Sequence, residues 1–477
     1  MKHVARVFLI LTLVCLCVPS ITASATPAPI DTDQALCLSG IPNVMPPGVL
    51  YSQTTDGSNF CLWVPAPGFV GDLVIFAHGY VDPRTPDGSL PWDQLAIGGV
   101  SLPAMVMGQL HAAFAVTSYP HNGLSVVEGV EAVKELALTL EATPGITIQH
   151  VYVVGASEGG LVTALAIEQN PNSLYAGGVS TCGPVGDFVQ QVNYWGDFRV
   201  AYDYYFQKTG YGPALLTTPI SIDPVQTIGL WGAFDPAHPE SAGSLQQLVY
   251  AKLAAHPDQA LKLVNAGRAP FDSANPTTTI PASILGILDY NVRATDQARG
   301  ELSGVANAYL TPNVGNPYGN AGRWIGGLSD LGLNLWVQSG HDKFTANPAA
   351  LAAIKNYQTT GKLNTPLVTL HTTGDPIVPY WHELLYAVKV WGSGHGSELF
   401  SIPIVAYGHC NFTAQQAMFA YLIMVYKATG TLPVIPTVLA PNSTAVLNAQ
   451  QFDDMMNQYG PTLNEPPHVN YMPIIVK

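Results

Sequence analysis

The chain has 477 residues and a formal net charge of −14, with 48% apolar and only 10% charged residues. An ordinary soluble protein carries about 25% charged residues, so Ser, Thr, Asn, Gln, Tyr and Gly must supply the polar surface. An acidic chain without a basic run excludes a nucleic-acid or anionic-membrane partner.

The first residues read as a targeting segment. Lys2 and Arg6 form a positive start, "VFLILTLVCLCV" an apolar stretch too short to span a membrane, and Ala23 to Ala25 a small-residue cleavage site. Cutting after Ala25 removes two cations and no acids, giving −14 − 2 = −16. The expected location is secreted or periplasmic. Residues 26–69 read as a Pro- and Thr-rich leader, loose to about residue 48, followed by short strands, among them 60–65. Buried strands are expected at 71–79, 112–120, 150–155 and 176–183, where apolar runs end in glycine or a turn. "SVVE" at 125–128 has capping-box spacing and opens a helix; a second helix starts near Glu158.

The rhythm breaks over 184–345, which is rich in Tyr, Asn, Gly and Pro. It returns as helix, strand, helix, strand, helix over 346–430. Alternation of this kind predicts an α/β fold, a mostly parallel sheet with helices on both faces. Residues 70–183 and 346–430 would form the catalytic domain, 184–345 a largely helical cap, and 431–477 a C-terminal extension with one helix near 444–458.

The chemistry concentrates at "VYVVGASEGG" (151–160). A strand, then Gly155-Ala156-Ser157-Glu158-Gly159, then a helix, is a nucleophile elbow. The turn lifts the serine hydroxyl above the sheet edge, and small residues leave room for neighbouring backbone. A serine needs a base, and the base an orienting acid, at later strand ends. Asp375 in "TGDPIVP" and His409 in "YGHCNF" stand there, 409 − 375 = 34 residues apart. The oxyanion donors would be the backbone N–H groups of Glu158 and of Tyr80, in "AHGYVD". Asp187 is the rival acid. His382, in a helix, and His395, in a Gly-rich loop, read as surface residues. His121 follows a strand but precedes the nucleophile.

HGY, GASEGG, GDPIVP and GHC resemble the α/β-hydrolase superfamily. The acid turn and the double glycine are similar to the prolyl-oligopeptidase and dienelactone-hydrolase-like branch. Too few residues precede the sheet for a β-propeller. The resemblance implies a triad of Ser157, Asp375 and His409, an acyl-enzyme intermediate, and a cap inserted after the strand following the nucleophile. No cofactor and no metal is required. The His409–Cys410 pair is similar to tannases and feruloyl esterases, where that cysteine bonds one preceding the serine; here Ala156 precedes Ser157.

After the leader is cut, Cys37, Cys61, Cys182 and Cys410 remain, and three pairings are open. Their positions favour Cys37 with Cys61, tying leader to first strand, and Cys182 with Cys410, facing each other across the site. The expectation is an exported serine hydrolase of carboxylic esters acting on a small-molecule or polymeric substrate. A prolyl-oligopeptidase-like peptidase and a non-catalytic binding module on the same scaffold are the alternatives. The cap aromatics in "NYWGDF" and "YDYYF" would form either a binding wall or the cap's own core.

Overall fold

A computed structural model of the chain describes residues 32–39, 48–66, 68–81, 85–207, 245–298, 318–325, 330–340, 343–439 and 445–459. The targeting segment and its cleavage site at Ala25 lie outside the described residues.

Eight strands form one sheet: β1 (Val49–Gln53), β2 (Asn59–Trp63), β3 (Asp72–Ala77), β4 (Ala113–Thr117), β5 (His150–Ala156), β6 (Gly177–Thr181), β7 (Leu367–Gly374) and β8 (Leu399–Tyr407). Their spatial order is β1-β2-β4-β3-β5-β6-β7-β8. β2 runs antiparallel to both its neighbours, and every other pairing is parallel. This order, with helices between the parallel strands, is the α/β-hydrolase fold. Parallel strands align their C-terminal ends, so the segments leaving β3, β5, β7 and β8 meet along one edge.

The strands β2 to β7, between the two edge strands, are largely buried on both faces, as a parallel sheet requires. Successive side chains alternate between faces. Leu73, Ile75, Val151 and Val153 join one cluster with α2 (Val126–Glu141) and α3 (Glu158–Gln169). Val74, Phe76, Phe114 and Val179 join a second cluster with Met418 and Tyr421. Those two residues belong to α11 (Ala414–Thr429), capped by a Thr413–Gln416 capping box and closed by Gly430 in the left-handed conformation.

Between β6 and β7 the described elements are helical: α4 (Phe188–Tyr202), α5 (Leu245–Ala255), α6 (Pro257–Ala266), α7 (Pro276–Ala298), α8 (Leu331–Gln338) and α9 (Pro348–Ile354). α10 (Trp381–Gly392) joins β7 to β8, and α12 (Ala449–Tyr459) follows α11. The "NYWGDF" and "YDYYF" aromatics serve as core. Trp195, Phe198, Tyr202, Tyr205 and Phe206 are buried.

Three expectations need correction. The leader is not uniformly loose, because Thr32–Ser39 is a helix, α1. Asp33 accepts hydrogen bonds from the Leu90 N–H and the Trp92 indole, each at 2.7 Å, and the Cys37 carbonyl accepts one from the Trp63 indole. The capping box at "SVVE" does not form. Ser125 is the N-cap of α2 without a side-chain bond, and its own N–H donates to Glu158 Oε1 at 2.5 Å. The buried Glu158 carboxyl has taken the partner that Glu128 was expected to serve. His382 is fully buried rather than exposed.

Both cysteine pairs are joined. Cys37 bonds Cys61 with Cα atoms 5.9 Å apart, and Cys182 bonds Cys410 with Cα atoms 5.3 Å apart, within the range a disulfide spans. The second bond links the end of β6 to the residue after His409. Among the described residues, no helix is long and apolar enough to cross a membrane.

Candidate active site

Ser157 sits between β5 and α3 with φ 57° and ψ −121°. A left-handed φ is costly for a side-chain-bearing residue and persists only where surroundings enforce it. Here the enforcement is backbone proximity. A Cβ on Gly155 would strike the Gly159 carbonyl, and one on Gly159 would strike the Ala77 carbonyl at the end of β3. The Ser157 N–H donates to the Thr181 carbonyl at 2.9 Å, fixing the elbow to β6.

His409 follows β8, which pairs with β7, so its imidazole reaches both the acid and the serine. His409 Nδ1 lies 2.6 Å from Asp375 Oδ2, and Nε2 lies 2.8 Å from Ser157 Oγ. An ionised carboxylate can only accept, so Nδ1 carries the hydrogen and Nε2 is left to take the serine's proton. Asp375 is fully buried. Its Oδ1 accepts the N–H groups of Ile377 and Val378 at 2.8 and 3.0 Å. Burial pushes its carboxyl up, but attraction to His409 and hydrogen bonds from His371 and His409 outweigh that and hold it at about 2.

Behind the acid lies a buried polar group that the sequence reading did not single out. His371, on β7, is fully buried, with Nε2 2.8 Å from the Val378 carbonyl and Nδ1 3.0 Å from Glu383 Oε1 on α10. Its Nε2 is also 3.5 Å from Asp375 Oδ2. Burial works against the imidazolium, yet the hydrogen bonds and charges of Asp375 and Glu383 raise His371 to about 10. The visible signal was a histidine inside a strand of Leu, Val and Thr, "LVTLHTT". The acid turn is further pinned from α4, where Tyr194 donates to the Pro376 carbonyl, and Gln191 and Trp195 donate to the Ile377 carbonyl.

The segment after β3 passes beside Ser157. A Cβ on Gly79 would lie 3.3 Å from Ser157 Cβ. The Gly79 N–H is taken by Gln94 Oε1 at 2.7 Å, while Gln94 Nε2 donates to the Tyr80 carbonyl at 3.2 Å. With Gly79 engaged, Tyr80 is the next N–H along this loop, and Glu158 heads α3, where backbone donors and the positive end of the helix dipole converge. Gln94 clamps the loop from outside the motif, and no local pattern marks it. Burial pushes the Glu158 carboxyl well above the usual range, with the Ser125 hydrogen bond opposing.

The rival positions are occupied elsewhere. Asp187 caps α4, accepting from the Gln190 N–H, and takes a second bond from Gln358. His382 accepts the Gly186 N–H at its Nδ1 and faces Gln191 at its Nε2. His121 contacts Asp87, and His395 heads a short turn at Gly396. Cys182, His409 and Cys410 also lie close together, but both sulfurs are spent in the disulfide.

Ser157 and His409 open onto a cavity of about 490 Å³, with Tyr80 and Tyr290 among the residues that line it. The two tyrosine rings meet edge to face, and Tyr290 on α7 lies 6.5 Å from the His409 ring. Among the described residues of the helical segment, Tyr290 is the aromatic that lines this cavity.

No protein-family model matches the sequence, and no curated protein matches it. Solved structures do resemble it. An esterase from Aspergillus oryzae aligns at 14% identity over 83% of each chain with a TM-score of 0.43. Feruloyl esterase B from Aspergillus oryzae aligns at 16% identity over 83% of each chain with a TM-score of 0.42. Candida antarctica lipase A aligns at 15% identity, over 86% of this chain and 84% of that chain, with a TM-score of 0.37.

Proposed function

We propose that the protein is an exported serine hydrolase of carboxylic esters, with Ser157 as nucleophile, His409 as general base and acid, and Asp375 as orienting acid. The observation that carries this reading is the continuous hydrogen-bonded chain from Ser157 Oγ through His409 to a buried Asp375. Ser157 Oγ attacks the ester carbonyl as His409 Nε2 takes its proton. The N–H groups of Glu158 and Tyr80 hold the oxyanion. The carbon–oxygen bond to the alcohol breaks as His409 returns the proton to the leaving oxygen. Water, deprotonated by His409, then attacks the acyl-enzyme, and the acid leaves with Ser157 restored. The residues required are side chains and backbone of this chain.

Among the described residues, the cavity lining contains no Asp, Glu, Lys or Arg. A peptidase reading charged side chains or a free terminus needs such a partner, so this lining favours esters. The helical segment between β6 and β7 serves as a cap over the triad, with Tyr290 as its contribution to the lining. Two disulfides support export, since such bonds persist in oxidising compartments.

A panel of aryl esters and peptide anilides tests the reading. Ester cleavage that is lost in Ser157→Ala with an unchanged thermal midpoint is the expected result. Anilide cleavage without ester cleavage points to the peptidase. No turnover of either, with a folded protein, points to a binding module.

A further inference from the structure

The cavity does not end at the triad. From Ser157 it continues along one face of the sheet, past Val154 on β5 and Val74 and Phe76 on β3, to Phe114 on β4 and Leu110. Its other wall is built from the helical turn Leu102–Met105, the π-helical turn Val106–Leu110, and Met418 and Tyr421 of α11. Val154 records the depth of this channel. It lies within β5, flanked by β3 and β6, where a side chain is ordinarily sealed. Val151 and Val153, on the opposite face, are 1% and 0% exposed, yet Val154 and Ala156 keep accessible surface.

The described lining beyond Ser157, Gln94 and His409 is glycine, aliphatic, aromatic or methionine, apart from Thr181, whose hydroxyl donates to the Gly155 carbonyl, Asn411, whose amide donates to the Tyr407 carbonyl, and the disulfide-bonded Cys410. A charged or strongly polar substituent would lose its water here without a partner. A hydrocarbon chain loses nothing and gains burial. Strand order supplies the direction. His409 follows β8, and β3 and β4 lie on the other side of β5 from it. The leaving alcohol must receive its proton from His409, so the alcohol belongs on the β8 side. The acyl group then points towards β3 and β4, down the channel.

We propose that this channel takes a linear apolar acyl chain, making the protein selective for medium- to long-chain carboxylic esters. The inference rests on the esterase reading above and specifies its substrate. A methylene group needs about the room of a water molecule, roughly 30 Å³, so the cavity holds a chain of about ten to sixteen such groups.

The test uses the full-length protein and a series of p-nitrophenyl esters from acetate to palmitate. kcat/KM is expected to rise about fourfold per methylene at first and to peak between about eight and fourteen carbons. Ala417→Trp narrows the channel beside α11 and should shift the peak to shorter chains while acetate turnover stays within about twofold. Met418→Ala widens it and should shift the peak to longer chains, so the proposal survives misfolding of either variant. A profile that is flat, or falls beyond four carbons, overturns the proposal and leaves the esterase reading standing. A preference for dodecyl acetate over ethyl laurate also overturns it, because the alcohol would then fill the channel. Failure to turn over every ester defeats both readings together.

Discussion

The two faces of the sheet are built from alternate residues of the same strands and do different work. On one face Leu73, Ile75, Val151 and Val153 are sealed beneath α2 and α3. On the other, Val74, Phe76 and Val154 face a cavity that α11 covers without filling. Moving one position along β5 exchanges a residue sealed in the core for one that borders the cavity. The period of two in a strand makes this division possible. The sealed face carries charge at the acid's support, where His371 and Glu383 stand behind Asp375.

The largest effect that tests this division is expected at Asp375. Asp375→Asn should leave His409 with the wrong tautomer and lower kcat by about 10⁴. Asp187→Asn should leave kcat within about twofold and stability little changed, because asparagine caps a helix about as well as aspartate does. A steady-state comparison decides the matter, and a larger kcat loss in the Asp187 variant would reassign the acid.

Adjacent valines offer the most direct contrast between the faces. Val153→Ala opens a hole in a filled layer and should cost about 2–3 kcal/mol in denaturant unfolding. Val154→Ala only enlarges an existing cavity, so it should cost about 1 kcal/mol or less and alter chain-length preference instead. Equal losses would show that the second face is filled in solution.

A smaller effect concerns pH. His371 is raised from its ordinary 6.5 to about 10. A raised pKa means that its contribution to stability is complete below 6.5 and is lost as pH climbs through about 10. The unfolding midpoint should therefore fall between pH 7 and pH 10, and fall less in Glu383→Gln, where one carboxylate partner is gone. Identical pH slopes in the two proteins would mean that His371 is neutral. On the acid side, Asp375, held at about 2, contributes stability that is complete above about 4 and lost as pH falls through about 2.

Much of the site was legible because a strained turn leaves marks in sequence. Gly155 and Gly159 flank Ser157 since backbone approaches where side chains would sit. Asp375 and His409 fell at the ends of apolar runs, which is where parallel strands deliver their loops. The mostly parallel sheet followed from the same alternation of strands and helices. What escaped were contacts that no local pattern encodes. Gln94 reaches Gly79 and Tyr80 from a separate turn. Glu158 crosses to Ser125 and displaces the expected capping box, because a buried carboxyl left without a donor is costly. Tyr290 lies more than a hundred residues from Ser157, and only the fold brings it to the cavity. The channel itself is a property of packing between α11 and the sheet, which composition does not record.

The central claim is that Ser157 is an activated nucleophile. Labelling the folded protein with a fluorophosphonate probe and mapping the modified peptide tests it most directly. One stoichiometric label on the peptide bearing Ser157, absent in Ser157→Ala and strongly slowed in Asp375→Asn, is the predicted result. A label on another serine, or none on a folded protein at pH 8, would contradict the account.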